Sequence, residues 1–349
     1  MYRVAPPLSC SFPKSLKQKQ NGKKDGFTRK AENNMKISPY LKINRIEFIV
    51  TYQCTGKCIH CSIGDRLNYA DGSGFTHIEA GPAADAVKKL SERFNITSVM
   101  AFGGEPLLYP EAVYAVYDAA RSSNIENRQL ITNGYFTKNS EYRKQVADSL
   151  IESGLNYLLL SVDAFHQADI PLDPVYDFAG CAAEIPNLRL HPAWVIDENH
   201  ENPYNAETKK ILKKFKDLGI QISSGNNIFM AGNAVKYLSE YYPTPDMDLS
   251  SLCGSAPYTD KLTEITSLSL VPNGDVMVCD FVIGNIYRES IDDIISHYDP
   301  YQNKLMRTVL EEGMSGLKKA AEEKGIPTEG CYSICDLCRK LNRKPVQSY

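Results

Sequence analysis

The chain has 349 residues, of which 43% are hydrophobic and 23% are charged, and its formal net charge is -3. These values match those of ordinary globular proteins and differ from those of disordered chains and membrane proteins. A net charge so close to zero gives no argument for nucleic acid or an anionic membrane as a partner, because both favour a basic surface. We therefore expect neither of these partners.

The N-terminal part of the chain differs from the rest. Residues 1–34 are basic and lack hydrophobic periodicity, so we expect a disordered leader there. They also lack the apolar segment of a secretory signal, and no apolar run in the chain approaches the roughly 20 residues of a membrane span. We therefore expect a cytoplasmic protein. Met35 precedes the first predicted strand and is an alternative start of translation.

Beyond residue 35, short apolar runs alternate with amphipathic segments, which predicts a parallel sheet with crossover helices. The predicted strands cover residues 45–51, 98–102, 128–132, 157–162, 188–196 and 220–223. Residues 206–219 have the pattern of an amphipathic helix that ends at Gly219. The pattern fits an open sheet or a partial barrel. In both, functional residues gather at the carboxyl ends of the strands.

After about residue 245, this βα alternation changes to short strands, turns and helices that contain five further cysteines. We therefore predict two units beyond the leader. Residues 35–245 form the larger α/β unit, and residues 246–349 form a small cysteine-rich α+β extension.

The stretch TYQCTGKCIHCSIG places Cys54, Cys58 and Cys61 in one loop after the first predicted strand. Thiolates bind soft metals, and three of them on one loop can bind a common centre. A structural zinc site takes four ligands, so this loop leaves one position without a ligand. The spacing is consistent with an iron-sulfur cluster with one open iron, with a zinc site whose fourth ligand is His60 or a distant cysteine, and with cysteines that bind no metal.

A second group of cysteines lies near the C-terminus. Its members are Cys253, Cys279, Cys331, Cys335 and Cys338. Four or five cysteines can close a metal site completely, and such a site stabilises a segment that is too small for a large core. Zinc and iron-sulfur both suit this set, and the spacing does not choose between them.

The CxxxCxxC loop, followed by GGEPLL at residues 103–108, resembles the radical S-adenosylmethionine (radical SAM) superfamily. This resemblance implies a partial (β/α)6 TIM-like barrel, with a 4Fe-4S cluster on the three cysteines and S-adenosylmethionine at the open iron. It also implies that the cofactor is cleaved reductively to a 5'-deoxyadenosyl radical, which abstracts hydrogen from a substrate. The electron would come from a donor such as flavodoxin or ferredoxin.

The resemblance also identifies candidate cofactor contacts after the second strand. Gly103, Gly104, Glu105 and Pro106 occupy the second signature of the family. Glycines allow the backbone to approach a ligand closely, and the Glu105 carboxylate would receive the ammonium group of the methionine. The simpler interpretation of the same residues is a tight turn between strand and helix, with Pro106 near the helix start.

Further candidates follow the third and fourth strands. Asn133, Ser161 and Asp163 lie where the family places ribose or methionine contacts, although Asn-Gly and Asp are also common in turns. His60 precedes the third cysteine, where the family usually has an aromatic residue near the adenine. His166 and His191 are candidates for lining the barrel, but both are taken as structural, as lone histidines usually are.

The C-terminal cysteines resemble the twitch form of the SPASM extension of this superfamily, because GDVMVC and a Gly-Asn-Ile segment surround the second of them. This resemblance implies one auxiliary 4Fe-4S cluster, held best by Cys253, Cys279, Cys335 and Cys338. Cys331 is surplus, and either replaces one of these four or stays outside the site. A structural zinc site is the alternative.

The resemblance predicts a hydrogen-abstracting enzyme. Because relatives with such extensions often modify peptides or proteins, a peptidyl substrate is the first prediction, and dehydrogenation of a small molecule is the second. A prediction from another class is a zinc-stabilised binding protein without catalytic activity.

Overall fold

The computed structural model of this chain describes residues 36–64, 67, 74–246, 248–256 and 259–342. The chain divides into Met1–Asn34, which contains the predicted leader and lies outside the described residues, and Met35–Tyr349, to which all of the following refers. Within the described ranges, no helix is both long enough and apolar enough to cross a membrane.

The strands of the described residues lie mainly in one sheet. In chain order they are β1 (Leu41–Ile49), β2 (Ser98–Phe102), β3 (Asn127–Thr132), β4 (Tyr157–Leu160), β5 (Asn187–Leu190), β6 (Ala193–Trp194), β7 (Gln221–Ile222), β8 (Asn226–Asn227), β9 (Ile265–Leu270), β10 (Asp275–Val278) and β11 (Phe281–Asn285). The main sheet has the order β11-β10-β9-β1-β2-β3-β4-β5-β7, and β6 pairs with β8 separately.

The helices pack around this sheet and connect its strands. They are α1 (Ala80–Arg93), α2 (Pro110–Ser122), α3 (Ser140–Glu152), α4 (Leu172–Cys181), α5 (Pro203–Lys213), α6 (Asn233–Tyr237), α7 (Ile291–His297), α8 (Lys304–Glu311), α9 (Gly313–Lys324) and α10 (Ile334–Asn342). Short 3-10 helices cover Pro106–Leu108, Lys216–Leu218, Ser239–Tyr241 and Pro300–Gln302.

Strands β1 to β5 and β7 are parallel neighbours, and α1 to α5 connect them in turn. This is a (β/α)6 arrangement, so the predicted fold class is confirmed. The predicted helix at 206–219 is observed as α5 and a following 3-10 helix. Gly219 ends the latter with a φ of 64°, a left-handed conformation that glycine adopts without strain.

The prediction of a single strand at 188–196 is wrong. The strand breaks after Leu190, and β6 leaves the main sheet to pair with β8. Pro192 lies at this break and has no N–H to donate to a neighbouring strand. Its carbonyl instead accepts from the Asn226 N–H (2.9 Å). The break therefore turns the chain toward the end of the barrel.

The two faces of β1 divide the core from the barrel interior. Ile46 and Phe48 are fully buried among the hydrophobic residues of the core. Glu47, between them, points to the other face because side chains alternate along a strand, and it lines a cavity. The buried face packs hydrophobically, and the opposite face carries polar groups into the interior.

The C-terminal region extends the same sheet. Strand β9 pairs with β1 in parallel, with Glu47 opposite Ser269 and Phe48 opposite Leu270. Strands β10 and β11 add an antiparallel hairpin beyond it. The predicted unit boundary near residue 245 therefore falls between elements that share one sheet.

Candidate functional site

A cavity of about 690 Å³ opens where the parallel strands end. The loop after β1, the segments after β2, β3, β4 and β5, and part of the C-terminal region form its wall. The predicted site residues that line it are Cys54, Cys58, His60, Cys61, Gly103, Gly104, Asn133, Ser161, Asp163, Cys279 and Cys335. Those outside this wall are Glu105, Pro106, Cys253, Cys331 and Cys338.

The cysteines of the first loop lie together on the cavity wall. Cys58 is buried, and two backbone turns, Cys61 N–H to Cys58 carbonyl and Gly64 N–H to Cys61 carbonyl (both 3.2 Å), curl the loop. Burial raises the pKa of Cys54 to about 11, with the charges of Glu105 and Cys61 adding to the shift. The pKa of Cys58 is raised even further, again first by burial. Near neutral pH these thiols therefore favour the protonated form, and a bound positive centre would favour the thiolates.

The two glycines after β2 allow this loop to pack closely. The Gly104 N–H donates to the Thr51 carbonyl (2.8 Å), and a Cβ at Gly104 would lie 2.1 Å from the Gln53 carbonyl oxygen. Gly103 has a φ of 146°, and a Cβ there would lie 2.5 Å from the Thr51 oxygen. The glycine pair therefore fixes the cysteine loop against the end of β2.

Glu105 connects two strand ends. Its side chain is fully buried. The Oε1 atom accepts hydrogen bonds from the Leu107 N–H (3.0 Å) and the Thr132 hydroxyl (2.7 Å). The Oε2 atom accepts one from the Asn133 N–H (2.8 Å). Burial raises its pKa to about 7. The carboxylate thus ties the turn after β2 to the end of β3. Its predicted contact with an ammonium group stays a prediction, and Pro106 beside it is likewise buried.

Asn133 joins the end of β3 to the cysteine loop. Its side-chain amide donates to Thr55 Oγ1 (3.1 Å) and contacts Cys54 Sγ (3.7 Å), while its Oδ1 accepts from the Tyr135 N–H (2.8 Å). Ser161 lies on the next strand end, where its N–H donates to the Thr132 carbonyl (2.8 Å). The polar strand ends therefore form one continuous wall beside the cysteines.

A buried ion pair occupies the turn after β4. Both oxygens of Asp163 lie 2.9 Å from His166 Nδ1, and Asp163 also accepts from the N–H groups of Phe165 and Ala193. Burial alone would raise the pKa of Asp163, but the His166 charge outweighs it and lowers this pKa. Burial opposes the charged form of His166 too, yet Asp163 raises the His166 pKa. The sequence predicts a structural role for His166. The three-residue spacing between Asp163 and His166 is the sequence feature that could have indicated their ion pair.

His60 packs into the same wall. Its ring centroid lies 4.8 Å from that of Phe165 and 4.9 Å from that of His166. Burial lowers its pKa to about 4. The ring is therefore neutral at physiological pH, which suits a packing surface more than a charged contact. Its predicted position near an adenine stays a prediction.

The second cysteine set surrounds a small cavity of about 40 Å³, lined by Cys253, Cys279, Cys335 and Cys338. Burial raises the pKa of Cys338 to about 12, with the charges of Cys335 and Cys253 adding to the shift. Cys331 is fully buried but lines neither cavity. Burial raises its pKa, and the nearby Lys340 lowers it. Four of the five C-terminal cysteines therefore converge on one place.

Cys279 lies in the two-residue turn between β10 and β11 and has a φ of 50°. A left-handed conformation is uncommon outside glycine, and such strain concentrates at functional sites. Cys279 and Cys335 line the large cavity as well as the small one. The second cysteine set thus opens toward the same space as the first.

Both sets suit iron-sulfur clusters. The cysteines in the described residues form no disulfide, and partial burial raises the pKa of thiols in both sets, so that a positive centre would favour their thiolate forms. The first set offers three soft ligands beside a large cavity, and the second offers four around a small one. These donor sets match an open cluster and a closed cluster respectively.

Family models agree with this chemistry. Residues 48–242, more than half of the chain, match the Radical SAM superfamily model, so the chain belongs to the radical SAM superfamily. Residues 263–339 match the SPASM iron-sulfur cluster-binding domain. The protein is therefore a radical SAM enzyme whose cofactors are a 4Fe-4S cluster, S-adenosylmethionine and an auxiliary iron-sulfur cluster. This confirms the predicted family and cofactors.

An individual curated relative matches only part of this chain. The GTP 3',8-cyclase of Microcystis aeruginosa (strain NIES-843 / IAM M-2473) is 31% identical over 126 residues, which are 36% of this chain and 34% of that protein. The chain thus matches about a third of the length of this curated relative.

Two solved structures are similar at low identity. "BtrN in complex with AdoMet and 2-DOIA" is 16% identical, with a TM-score of 0.46 over 88% of this chain and 95% of that one. "Native anSMEcpe with bound AdoMet" is 15% identical, with a TM-score of 0.47 over 80% and 86%. At such identities, the substrate has to be inferred from this chain's own residues.

Proposed function

We propose that this radical SAM enzyme oxidises a polar small molecule bound between its two cysteine sets. The observation that carries this proposal is the shared cavity. Cys58 of the first set and Cys279 and Cys335 of the second set all line it, and its volume is about 690 Å³. Pockets for small ligands commonly measure about 300–1,000 Å³. A peptide is the first choice from the sequence and is the alternative substrate class.

The barrel interior supports a polar substrate. Such interiors are usually filled by branched apolar side chains. Here Glu47, Ser267 and Ser269 reach the cavity from β1 and β9, and the Ser269 hydroxyl lies 3.4 Å from Glu47 Oε2. Polar groups at these depths favour a ligand that can hydrogen-bond to them.

Different residues of the site would bind the cluster, position the cysteine loop and face the substrate. When bound, the clusters and S-adenosylmethionine supply one-electron chemistry that removes a hydrogen atom from the substrate. Cys54, Cys58 and Cys61 would hold the first cluster, and Asn133 and the glycine pair hold their loop in place. The Asp163–His166 pair forms a charged part of the wall that faces the substrate. A flavodoxin or ferredoxin is the electron donor that we propose.

The test uses anaerobically reconstituted, chemically reduced enzyme with S-adenosylmethionine. We expect a low-molecular-weight fraction of a cell extract to increase 5'-deoxyadenosine formation above the rate without substrate, and a peptide fraction to leave it unchanged. Stimulation by the peptide fraction alone would contradict the proposed substrate class.

Variants connect this activity to the assigned ligands. Cys58→Ala should abolish 5'-deoxyadenosine formation. Cys181→Ala is the matched control, because Cys181 ends α4, lines neither cavity and should be dispensable. Equal activity of the two variants would contradict the assignment of the first cluster.

A further inference from the structure

A carboxylate with unused hydrogen-bonding capacity lines the cavity on the face of β1 that points into the barrel. This residue is Glu47, and 24% of its side chain is exposed. Among the described residues, its Oε2 atom accepts one hydrogen bond, from the Ser269 hydroxyl at 3.4 Å, which is at the long limit for such a bond. A carboxylate oxygen can accept two hydrogen bonds, and those from charged donors are shorter. Glu47 can therefore accept further donors from a ligand in the cavity.

Arg45 neutralises only one side of this carboxylate. Its Nε lies 2.8 Å from Glu47 Oε1, and Arg45 does not line the cavity. The pair is not aligned as a hydrogen bond, because Arg45 Nε has no hydrogen-bond partner among the described residues. The Arg45 side chain is also 36% exposed, and ion pairs with exposed partners contribute little. Glu47 Oε2 therefore stays available for a cation.

The other carboxylates of the described cavity wall already have close partners. Each accepts from a cationic side chain or from backbone N–H groups, at distances between 2.6 and 3.1 Å. They are Asp163 with His166, Asp280 with Arg339, and Asp260 with the N–H groups of Thr266 and Ser267. Glu47 is therefore the carboxylate of this wall with the most capacity left for a ligand.

Two serines of β9 extend this acceptor surface. Ser269 lies opposite Glu47 in the sheet, and Ser267 lies two residues earlier on the same face of β9. Both serines line the cavity. A primary ammonium group has three N–H donors, and a carboxylate oxygen with two hydroxyls offers it three acceptors. The ammonium gains a charge-assisted hydrogen bond that a neutral hydroxyl lacks, whereas a second carboxylate would be repelled.

We propose that Glu47 is the specificity-determining residue of the cavity and that it binds a primary ammonium group of the substrate, with Ser267 and Ser269 as neutral acceptors. This inference rests on the proposed function and narrows the polar small molecule to a positively charged amine. Glu47 lies inside β1, and the cysteine loop follows the end of that strand. The ammonium end would therefore bind below the strand ends, and the rest of the substrate would extend toward the cysteine loop.

Binding is measured on reconstituted holoenzyme with S-adenosylmethionine but without a reductant, so that no turnover occurs. The probes are 4-aminobutan-1-ol, butane-1,4-diol and 4-hydroxybutanoate, which share one chain length and differ in the charge at one end. Each probe is titrated by ligand-observed NMR. We expect the wild type to bind the amine most tightly and the carboxylate most weakly. An affinity for the amine that is no greater than that for the diol would overturn the inference.

Glu47→Gln removes the charge and keeps the size of the side chain. We expect it to weaken binding of the amine about tenfold relative to the diol, which is the loss of one hydrogen bond to a charged group. Both affinities are measured on the same preparation, so partial unfolding affects both probes alike. Glu141→Gln, exposed in the first turn of α3, is the matched control and should keep the wild-type ratio. An unchanged ratio in Glu47→Gln would overturn the inference.

A turnover assay distinguishes failure of this inference from failure of the proposed function. The low-molecular-weight fraction of a cell extract is passed over a cation exchanger near neutral pH, and both parts are assayed for 5'-deoxyadenosine formation by the reduced holoenzyme. We expect the retained cations to carry the stimulation. Stimulation by the unretained part alone would overturn the inference and leave the proposed oxidation of a small molecule intact. No stimulation by either part would contradict the proposed function, while the NMR ratios would still decide whether Glu47 selects an amine.

Discussion

Residues of one signature can differ in role: some line the cavity, and others make hydrogen bonds that hold the surrounding turns in place. The sequence places Glu105 and Asn133 on the cofactor by resemblance. In the structure, Glu105 is buried and accepts from Leu107, Thr132 and Asn133, whereas Asn133 reaches the cavity wall. A motif identifies residues that a site requires, but not which of them touch the ligand.

The pH dependence of stability tests the burial of Glu105. Its pKa in the folded protein, about 7, lies above the ordinary carboxyl value of 4.5, so the folded state keeps a proton that the unfolded state has released. Stability from this group is therefore present at low pH and lost as the pH rises through about 7. We expect the wild type to lose up to about 3 kcal/mol relative to Glu105→Gln over this range.

Urea unfolding of both proteins at several pH values gives this difference directly. Glu111→Gln removes an exposed carboxylate of α2 and serves as the matched control. A difference between the wild type and Glu105→Gln that does not change with pH would contradict the raised pKa.

At the scale of elements, turns and strand ends decide where the site forms. The turn after β2 approaches the cysteine loop so closely that only glycine fits at Gly104. The turn between β10 and β11 forces Cys279 into a left-handed conformation, and α10 adds Cys335 and Cys338 from another direction. The second cysteine set therefore forms only where three segments meet: the loop that contains Cys253, the turn that contains Cys279, and helix α10.

Gly104→Ala should displace the cysteine loop. The added Cβ would lie 2.1 Å from the Gln53 carbonyl oxygen, which is backbone and cannot rotate away. We expect a loss of about 2–4 kcal/mol in the free energy of unfolding and a loss of iron from the first cluster. Gly180→Ala in α4 is the control, because its Cβ would meet nothing within 4 Å. Iron analysis and urea unfolding measure both effects, and iron retention in Gly104→Ala would be inconsistent with this packing.

The C-terminal cysteines should differ in their effect on iron content. Cys335→Ser removes a side chain that lines the small cavity, so we expect iron to fall from about eight to about four atoms per chain. Cys331→Ser should keep the iron and only reduce stability, since Cys331 is buried outside this cavity. Loss of iron in both variants would mean that Cys331 is a ligand.

At the scale of the whole molecule, the barrel and the cysteine-rich extension share one sheet. β9 covers the edge of β1 that would otherwise be open, and Leu268 and Leu270 are buried there with Phe48. Members of both cysteine sets therefore line one cavity, because β1 and β9 join the barrel and the extension in one sheet.

Removal of residues 246–349 should prevent stable folding of the barrel, because it uncovers the β1 edge and the apolar residues that β9 covers. Removal of residues 1–34, for which the sequence predicts a disordered leader, is the control, and we expect it to leave the melting temperature unchanged. Calorimetry of both fragments is the measurement. A cooperative transition in residues 35–245 alone would show that the two halves fold independently.

The sequence by itself determined the fold class, the family and the three-cysteine loop. These depend on local spacing and on the alternation of apolar runs, which nearby residues control. It did not determine the break after Leu190, the partners of Glu105 or the exclusion of Cys331 from the small cavity. Each of these depends on groups far apart in the chain, and only the packed sheet brings them within hydrogen-bond or ligand distance.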